Sequence, residues 1–185
     1  YIRSEGALRQ AERMKEELSA RGLDARVEKN GRFLCRVENN RVALAEKLDF
    51  CVYLDKDKYL SRMLERCGVS LFDSAEAVEL CDDKMLTYIA LAGGGVNLPD
   101  TLPAPLCYYA DAKVREEYVK EIGAALGYPL IAKKSFGSWG MDVELIQNER
   151  ELAETAEKFR MSPHLYQKYI SAHKGEDYRV IVVGG

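Results

Sequence analysis

The chain has 185 residues, of which 47% are apolar and 31% charged, enough for one to one and a half domains at ~150 residues each. That composition builds a core, and it excludes disordered, collagen-like and low-complexity chains, since the 14 glycines and 5 prolines are scattered among ordinary residues. With 27 basic against 30 acidic residues the net charge is −3, so the overall field does not favour nucleic acid, although a local patch stays compatible with it.

The elements follow in chain order. Leu8, Ala11, Met14 and Leu18 recur at helical spacing, and Gly22 follows as a C-cap. Leu23, Ala25 and Val27 alternate, Asn30-Gly31 offers a tight turn, and Phe33, Cys35 and Val37 alternate again, which predicts a hairpin. The apolar run from Leu48 to Leu54 predicts a strand buried on both faces. Leu60, Met63, Leu64 and Cys67 form the next helical stripe, closed by Gly68, and Val69 to Phe72 is a short strand. Asp73 with Glu76 three residues on predicts a capping box. This alternation implies a Rossmann-like, mostly parallel sheet with helices packed on it. Such a domain usually opens on a strand, so its first strand is expected to be missing or reduced to Tyr1-Ile2.

A helix is expected from Lys84 to Ala92, stopping at Gly93-Gly94-Gly95. Val96 to Leu106 carries Pro99, Pro103 and Pro105 and predicts an extended connector. Val114, Tyr118, Ile122 and Leu126 mark a helix of about four turns ended by Gly127. Then come a strand over 128–134, a glycine-bearing turn over 135–140 and a strand over 141–146. A helix from Asn148 and Glu151 to about Arg160 follows, then strands over 165–170 and 177–183. The second half is therefore expected to be an antiparallel sheet with a helix on one face. Ending at Gly184-Gly185 leaves the last strand without its expected partner, a second sign of a fragment.

No run of ~18 apolar residues predicts a membrane helix. The first residues do not resemble a signal peptide. Cys35, Cys51, Cys67, Cys81 and Cys107 contain no C-x-x-C pair, which predicts reduced thiols serving mostly as small core residues in a cytoplasmic protein rather than metal ligands.

Three features carry chemistry. In Ala132 to Val143, two strands joined by a loop with Gly137 and Gly140 let backbone N–H groups face an anion, and Lys133 stands beside that loop as a point charge for a phosphate oxygen. It is neither a P-loop nor a dinucleotide fingerprint, because the loop leads into a strand and not a helix. A surface hairpin with a solvated lysine is the plain alternative. In Gln167-Lys168-Tyr169-Ile170 an extended backbone offers groups for the edge of adenine, and Asp177 could accept from ribose hydroxyls; an ordinary core strand and a loop aspartate are the alternative. Asp82-Asp83 suit a helix N-terminus, but Lys84 in the first turn is unfavourable to the dipole unless an anion lies opposite or the lysine is simply solvated. His164 and His173 are expected to be solvated loop residues rather than catalytic ones.

Taken in order, Asp83-Lys84, the proline connector, Lys133 before the glycine loop, Gln167-Lys168-Tyr169-Ile170 and Asp177 resemble the ATP-grasp carboxylate–amine ligases, and among them the RimK type. Leu71 to Ala77 leading to Asp83-Lys84, and Gly175 to Gly184, resemble the corresponding segments of that family, so the likeness runs from about residue 42 to the end. The resemblance implies a Rossmann-like pre-ATP-grasp domain over 1–82, a helix and connector over 83–106 and the first ATP-grasp lobe over 107–185, with the second lobe missing. It implies that Lys84 and Lys133 contact ATP phosphates and that the loop with Ser135, Gly137, Ser138 and Gly140 folds over them. It further implies that Gln167, Lys168, Tyr169 and Ile170 hold adenine, chiefly through backbone atoms of Lys168 and Ile170, and that Asp177 binds ribose. The family's reaction makes an acyl phosphate from ATP and a carboxylate, which an amine attacks to form an amide; glutamate is one such amine. This chain alone is expected to be inactive.

Trp139 and Asp142 stand where that family more often has a smaller or polar residue and a glycine. Its magnesium ligands lie in the later lobe, so no metal ligand is nominated here. A glutathione synthetase-like or D-alanine–D-alanine ligase-like enzyme, a non-catalytic nucleotide-binding module, and a flavodoxin-like domain fused to an unrelated sheet remain as alternatives. No membrane partner is expected, nucleic acid is disfavoured, and self-association is left open.

Overall fold

Contacts divide the chain into two units, Tyr1–Glu79 and Leu80–Gly185. The computed structural model describes residues 5–32, 34–172, 175–176 and 178–182.

In the first unit, α1 (Glu5–Ala20) carries the expected stripe, with Ala11, Met14 and Leu18 half-buried, and Gly22 closes it at φ 80°. Glu17 pairs with Arg13 and Arg21 one turn away on its wet face. The hairpin turn lies nine residues later than the alternation suggested, at Asn39-Asn40 instead of Asn30-Gly31. β1 (Cys35–Glu38) and β2 (Arg41–Leu44) are antiparallel around Asn39-Asn40, at φ 48° and 58°. Two successive residues at positive φ match the twist of a two-residue hairpin, and asparagine tolerates that conformation. Residues 23–29 carry no strand, and the Asn30 side chain instead donates to Asp57 at 2.8 Å. Phe33 lies outside the described residues.

β3 (Phe50–Val52) and β4 (Ser70–Phe72) form a parallel pair on either side of α2 (Lys58–Arg66). Only three residues of the apolar run pair, and they are half-buried rather than covered on both faces. Asp57 caps α2 by accepting from the amides of Tyr59 and Leu60, and Gly68 at φ 84° ends it. The core gathers Cys35, Tyr53, Leu64 and Val69. Of the five free thiols Cys35 is buried in this core, Cys51 and Cys67 pack against it, and Cys81 is exposed, so three of the five serve as core residues. Burial foremost pushes the Cys35 thiol up to about 11, so it is an inert core group. Helix α3 (Ala75–Asp82) crosses the division between the units. Its start is held by Ser74, which accepts from Ala77, and by Glu65 of α2, which accepts from Ala75 at 2.8 Å, not by the Asp73/Glu76 box.

The second unit contains α4 (Lys84–Leu91), β5 (Thr101–Pro103), α5 (Glu116–Leu126), β6 (Leu130–Lys134), β7 (Val143–Ile146), α6 (Glu149–Phe159) and β8 (His164–Lys168). The four strands form one antiparallel sheet in the order β5-β8-β6-β7. The stretch expected as a connector thus supplies an edge strand, where Pro103 needs no donor. Helix α5 begins two residues later than its apolar stripe and makes three turns, not four. Strand β8 stops at Lys168, so Tyr169 and Ile170 lie beyond it. Residues 178–182 carry no strand, contrary to expectation; Asp177 and 183–185 lie outside the described residues.

Pairing register assigns the sheet's two faces, because directly opposed residues share a side. Leu130, Ala132, Ile146 and Tyr166 point to the helices, where Val119, Ile122 and Leu126 of α5 and Leu152, Ala156 and Phe159 of α6 complete the core. Thr101, Ile131, Lys133, Val143, Leu145 and Gln167 point the other way. Helical packing therefore occupies one face and leaves the other to carry the polar groups. None of the helices among the described residues is long and apolar enough to cross a membrane.

Candidate functional site

Lys133 is half-buried on the face opposite the helical core. Its ammonium donates to the Gln167 side-chain oxygen at 2.8 Å and to the Tyr88 hydroxyl at 3.1 Å, and it lies 5.2 Å from the centre of the Tyr88 ring. All of these partners are neutral. The other lysines of the sheet are matched: Lys134 pairs with Asp142 at 3.1 Å and Lys168 with Asp100 at 3.4 Å. Among the described residues no carboxylate pairs with Lys133. An ammonium has three donors, so its two hydrogen bonds leave one for an incoming acceptor.

Lys84 begins α4, with Asp83 accepting from the amides of Met85 and Leu86 at 2.9 and 3.2 Å as the helix cap. The lysine's unfavourable place in the first turn has a structural answer. Its ammonium donates to the carbonyls of Gly137 at 2.8 Å and Ser135 at 3.3 Å, and its amide also donates to Ser135. Lys84 thus ties the 135–140 loop to α4. Tyr88 follows four residues on, on the same helical face. Burial pulls its phenol upward, but hydrogen bonds with Gln167 and Lys133 and the charge of Lys133 outweigh it and hold the phenol below its ordinary value.

The loop itself is anchored at Ser135, whose amide donates to Pro163. Gly137 and Gly140 have φ of 114° and 70°, which justifies glycine at both. Among the described residues, the amides of 136–140 donate to no backbone carbonyl, so they remain available to an anion. Trp139 and Asp142 also have positive φ, 63° and 57°, which explains why glycine is the unstrained choice at position 142. Trp139 is 90% exposed. The Asp142 carboxylate is drawn to Lys134, which projects to the face opposite Lys133, so it does not oppose an anion there.

The structure therefore brings Lys84, Lys133, Ser135, Gly137 and Gln167 together. Ser138 and Gly140 lie in the same loop. The Gln167 side chain is engaged with Lys133 and, through its nitrogen, with Thr101 at 2.8 Å. Lys168 donates its amide to Asp100, while the half-buried Tyr169 and exposed Ile170 continue past the strand end. Asp177 and His173 lie outside the described residues. Tyr88 and Thr101 went unnoticed in the sequence, although the four-residue spacing from Lys84 to Tyr88 was a usable signal.

His164 is not solvated. It is buried, with Nδ1 against the Ser162 carbonyl at 2.8 Å and Nε2 against the Tyr166 hydroxyl at 2.9 Å. A neutral imidazole satisfies both contacts, donating to the carbonyl and accepting from the phenol. Burial foremost lowers its pKa, and Lys134 is its direct cross-strand neighbour. A lowered folded pKa means that the unfolded chain takes up the proton first. Stability is therefore expected to fall as pH drops below about 6.5, before the carboxylates of Glu144 and Glu157, also held low in the fold, begin to titrate. Denaturant midpoints between about pH 5 and 7 should slope in wild type and flatten in His164→Gln; parallel curves would assign the slope to another group.

Among the described residues there is no group of three or more His, Cys, Asp or Glu able to hold a metal ion.

The RimK-like ATP-grasp domain matches residues 81–185, a stretch that includes this two-layer lobe with its lysine and glycine loop. The chain belongs to that family. It is 37% identical over 137 residues to β-citrylglutamate synthase B of Mus musculus, covering 72% of this chain and 33% of that protein. It is 35% identical over 137 residues to N-acetylaspartylglutamate synthase A of Homo sapiens, covering 72% and 33%. With the glutamate–LysW ligase ArgX of Sulfolobus acidocaldarius it shares 34% identity over 135 residues, covering 68% and 43%. The chain thus spans about a third of the length of the mammalian relatives. A solved RimK domain protein from Sphaerobacter thermophilus superposes with a TM-score of 0.67 at 18% identity, covering 94% of this chain and 63% of that one. N5-carboxyaminoimidazole synthetase from Staphylococcus aureus, complexed with ADP, superposes at 0.51 and 21% identity, covering 68% and 31%.

Proposed function

We propose that the whole protein is an ATP-dependent carboxylate–amine ligase of the RimK type and that this chain supplies its nucleotide-binding lobe. The observation that carries this reading is Lys133, a half-buried ammonium whose hydrogen-bonding partners are all neutral. Its positive charge is uncompensated locally and is available to a phosphate. Lys84 fixes the 135–140 loop by its carbonyls, leaving the loop amides to face the same anion. In this reading Lys84 also reaches the phosphates once the nucleotide binds. Ser135, Gly137, Ser138 and Gly140 close over them, Gln167 to Ile170 flank adenine, and Asp177 takes the ribose. The chain divides as first domain 1–82 and ATP-grasp lobe 83–185, the helix and proline-bearing stretch over 83–106 joining the lobe through its edge strand β5.

The reaction transfers the γ-phosphoryl group of ATP to a carboxylate oxygen, giving an acyl phosphate and ADP. An amine then attacks the acyl carbon, phosphate leaves, and an amide remains. The charge developing on the phosphoryl group is what Lys133 and the loop amides stabilise. Magnesium is the expected counter-ion for the triphosphate in the whole protein, with no ligand assigned in this chain. A cytoplasmic location accords with reliance on ATP and with the free thiols.

The names of the three relatives all contain glutamate, so glutamate is the first amine to test. The whole protein, supplied with MgATP, glutamate and a panel of small carboxylates, is expected to release ADP only when both co-substrates are present. ADP release that ignores the amine, or none with any pair, would count against ligation.

A further inference from the structure

We propose that Thr101, which reaches Lys133 only through Gln167, is a positioning residue for Lys133. This inference rests on the reading that Lys133 receives a phosphate of ATP. Its basis is the polarity of one hydrogen-bonded chain. The Thr101 hydroxyl donates to the Pro99 carbonyl at 2.8 Å. A carbonyl only accepts, so the single hydroxyl proton of Thr101 is committed to it. The Thr101 oxygen must then accept from its neighbour, and it does so from the Gln167 side-chain nitrogen at 2.8 Å. With its NH₂ end fixed on Thr101, the buried amide of Gln167 has one orientation, and its oxygen faces Lys133 at 2.8 Å. Tyr88 closes the group, accepting from Lys133 at 3.1 Å and lying 3.4 Å from the same glutamine oxygen.

The sheet makes this geometry possible. Thr101 of β5 is directly opposite Gln167 of β8, and Gln167 is directly opposite Ile131 of β6. Lys133 is two residues further along the same face, a diagonal within reach of a long side chain. The relay therefore runs across three adjacent strands, from an edge carbonyl to the ammonium.

An amide is nearly symmetric in shape but opposite in polarity at its two ends. Lys133 and the Tyr88 hydroxyl both donate to the glutamine oxygen and keep that end toward them. Without the Thr101 oxygen the NH₂ end loses its partner, and the amide is free to swing away from the place that holds the ammonium. Thr101 thus anchors the glutamine, and the glutamine places the charge without neutralising it. A carboxylate at position 167 would hold the lysine equally well but cancel the charge a phosphate needs.

The test is equilibrium binding of MgATP and of adenosine to the whole protein. Thr101→Val, which keeps the shape and removes the oxygen, is expected to weaken MgATP about tenfold, the loss of roughly one charge-assisted hydrogen bond. Adenosine, which lacks phosphate, should bind within about twofold of wild type. Thr101→Ser restores the oxygen and should restore MgATP affinity. Gln167→Glu should weaken MgATP more than Thr101→Val does. A general structural role for Thr101 would weaken both ligands together, and that result would overturn the proposal, as would unchanged MgATP affinity in Thr101→Val while Lys133→Ala is impaired. If Lys133→Ala itself binds MgATP like wild type, the phosphate assignment of Lys133 fails first, and with it the relay's purpose.

Discussion

Lys133→Ala is expected to raise the dissociation constant of the whole protein for MgATP by about 10- to 100-fold, the range for losing a charge-assisted contact to phosphate. Lys133→Glu should do worse, because it puts a negative charge where the phosphate arrives. Lys133→Arg should rescue only in part: the guanidinium keeps the charge, but its planar fork does not match a site shaped by one glutamine oxygen and one phenol. The fold should survive. Lys133 is half-buried and outside the helical core, and the cost of leaving the Gln167 oxygen without its donor is about 1–3 kcal/mol. Calorimetric titration with MgATP, with the melting temperature recorded alongside, checks both halves. Affinity for MgATP within about twofold of wild type in the alanine variant would return Lys133 to the status of a half-buried structural lysine.

The contrast with its neighbours strengthens the expectation. Lys134, one residue on, points to the other face, where Asp142 meets it and the Phe159 ring lies 5.4 Å away. Lys84 is spent largely on loop carbonyls. Lysines next to one another in the chain thus have different partners because strand alternation sends them to different surroundings. An acidic residue inside a phosphate-facing loop looks like a contradiction in the sequence. It is resolved by that alternation, since Asp142 follows Lys134 and leaves Lys133 alone.

Much of this arrangement was legible before any coordinates. The stripes of α1, α2 and α5, the Asn148 cap of α6, the glycine loop and the Lys84 and Lys133 positions follow from periodicity, capping and composition, which are local properties. The failures are of a different kind. Asn30-Gly31 and Asn39-Asn40 are both acceptable turns in isolation, and pairing between Cys35 and Leu44, a tertiary preference, decided for the second. β5 was hidden because three prolines advertise an unpaired segment, whereas an edge strand tolerates Pro103. His164 reads as polar and loop-like, yet Tyr166 and the Ser162 carbonyl satisfy both ring nitrogens and allow it into the core. The relay through Thr101 and Gln167 could not be read at all, since it joins residues 66 positions apart.

Phe159→Ala is expected to cost about 3–5 kcal/mol of folding stability, the range for truncating a fully buried aromatic side chain. Phe159 is 0% exposed and ends α6. Its ring packs edge-on against His164 at 5.9 Å and lies beneath the ammonium groups of Lys134 and Lys158 at 5.4 and 5.5 Å. Deleting it opens a cavity, removes the aromatic support of His164 and strips two cation–π contacts at once. Since a domain's whole stability is about 5–15 kcal/mol, this one change consumes a large part of it. Phe159→Leu should recover more than half of the loss, because it refills most of the volume. Urea midpoints of the three proteins measure the series, and an alanine variant within about 1 kcal/mol of wild type would show that the helical layer is not what holds the sheet. The variant also separates two ways of losing ATP. Phe159→Ala should lose nucleotide only where it unfolds, and regain it on cooling or in a stabilising osmolyte. Lys133→Ala should stay folded under the same conditions and remain weak, because the layer behind the sheet keeps the strands in register while the charge in front of it is gone.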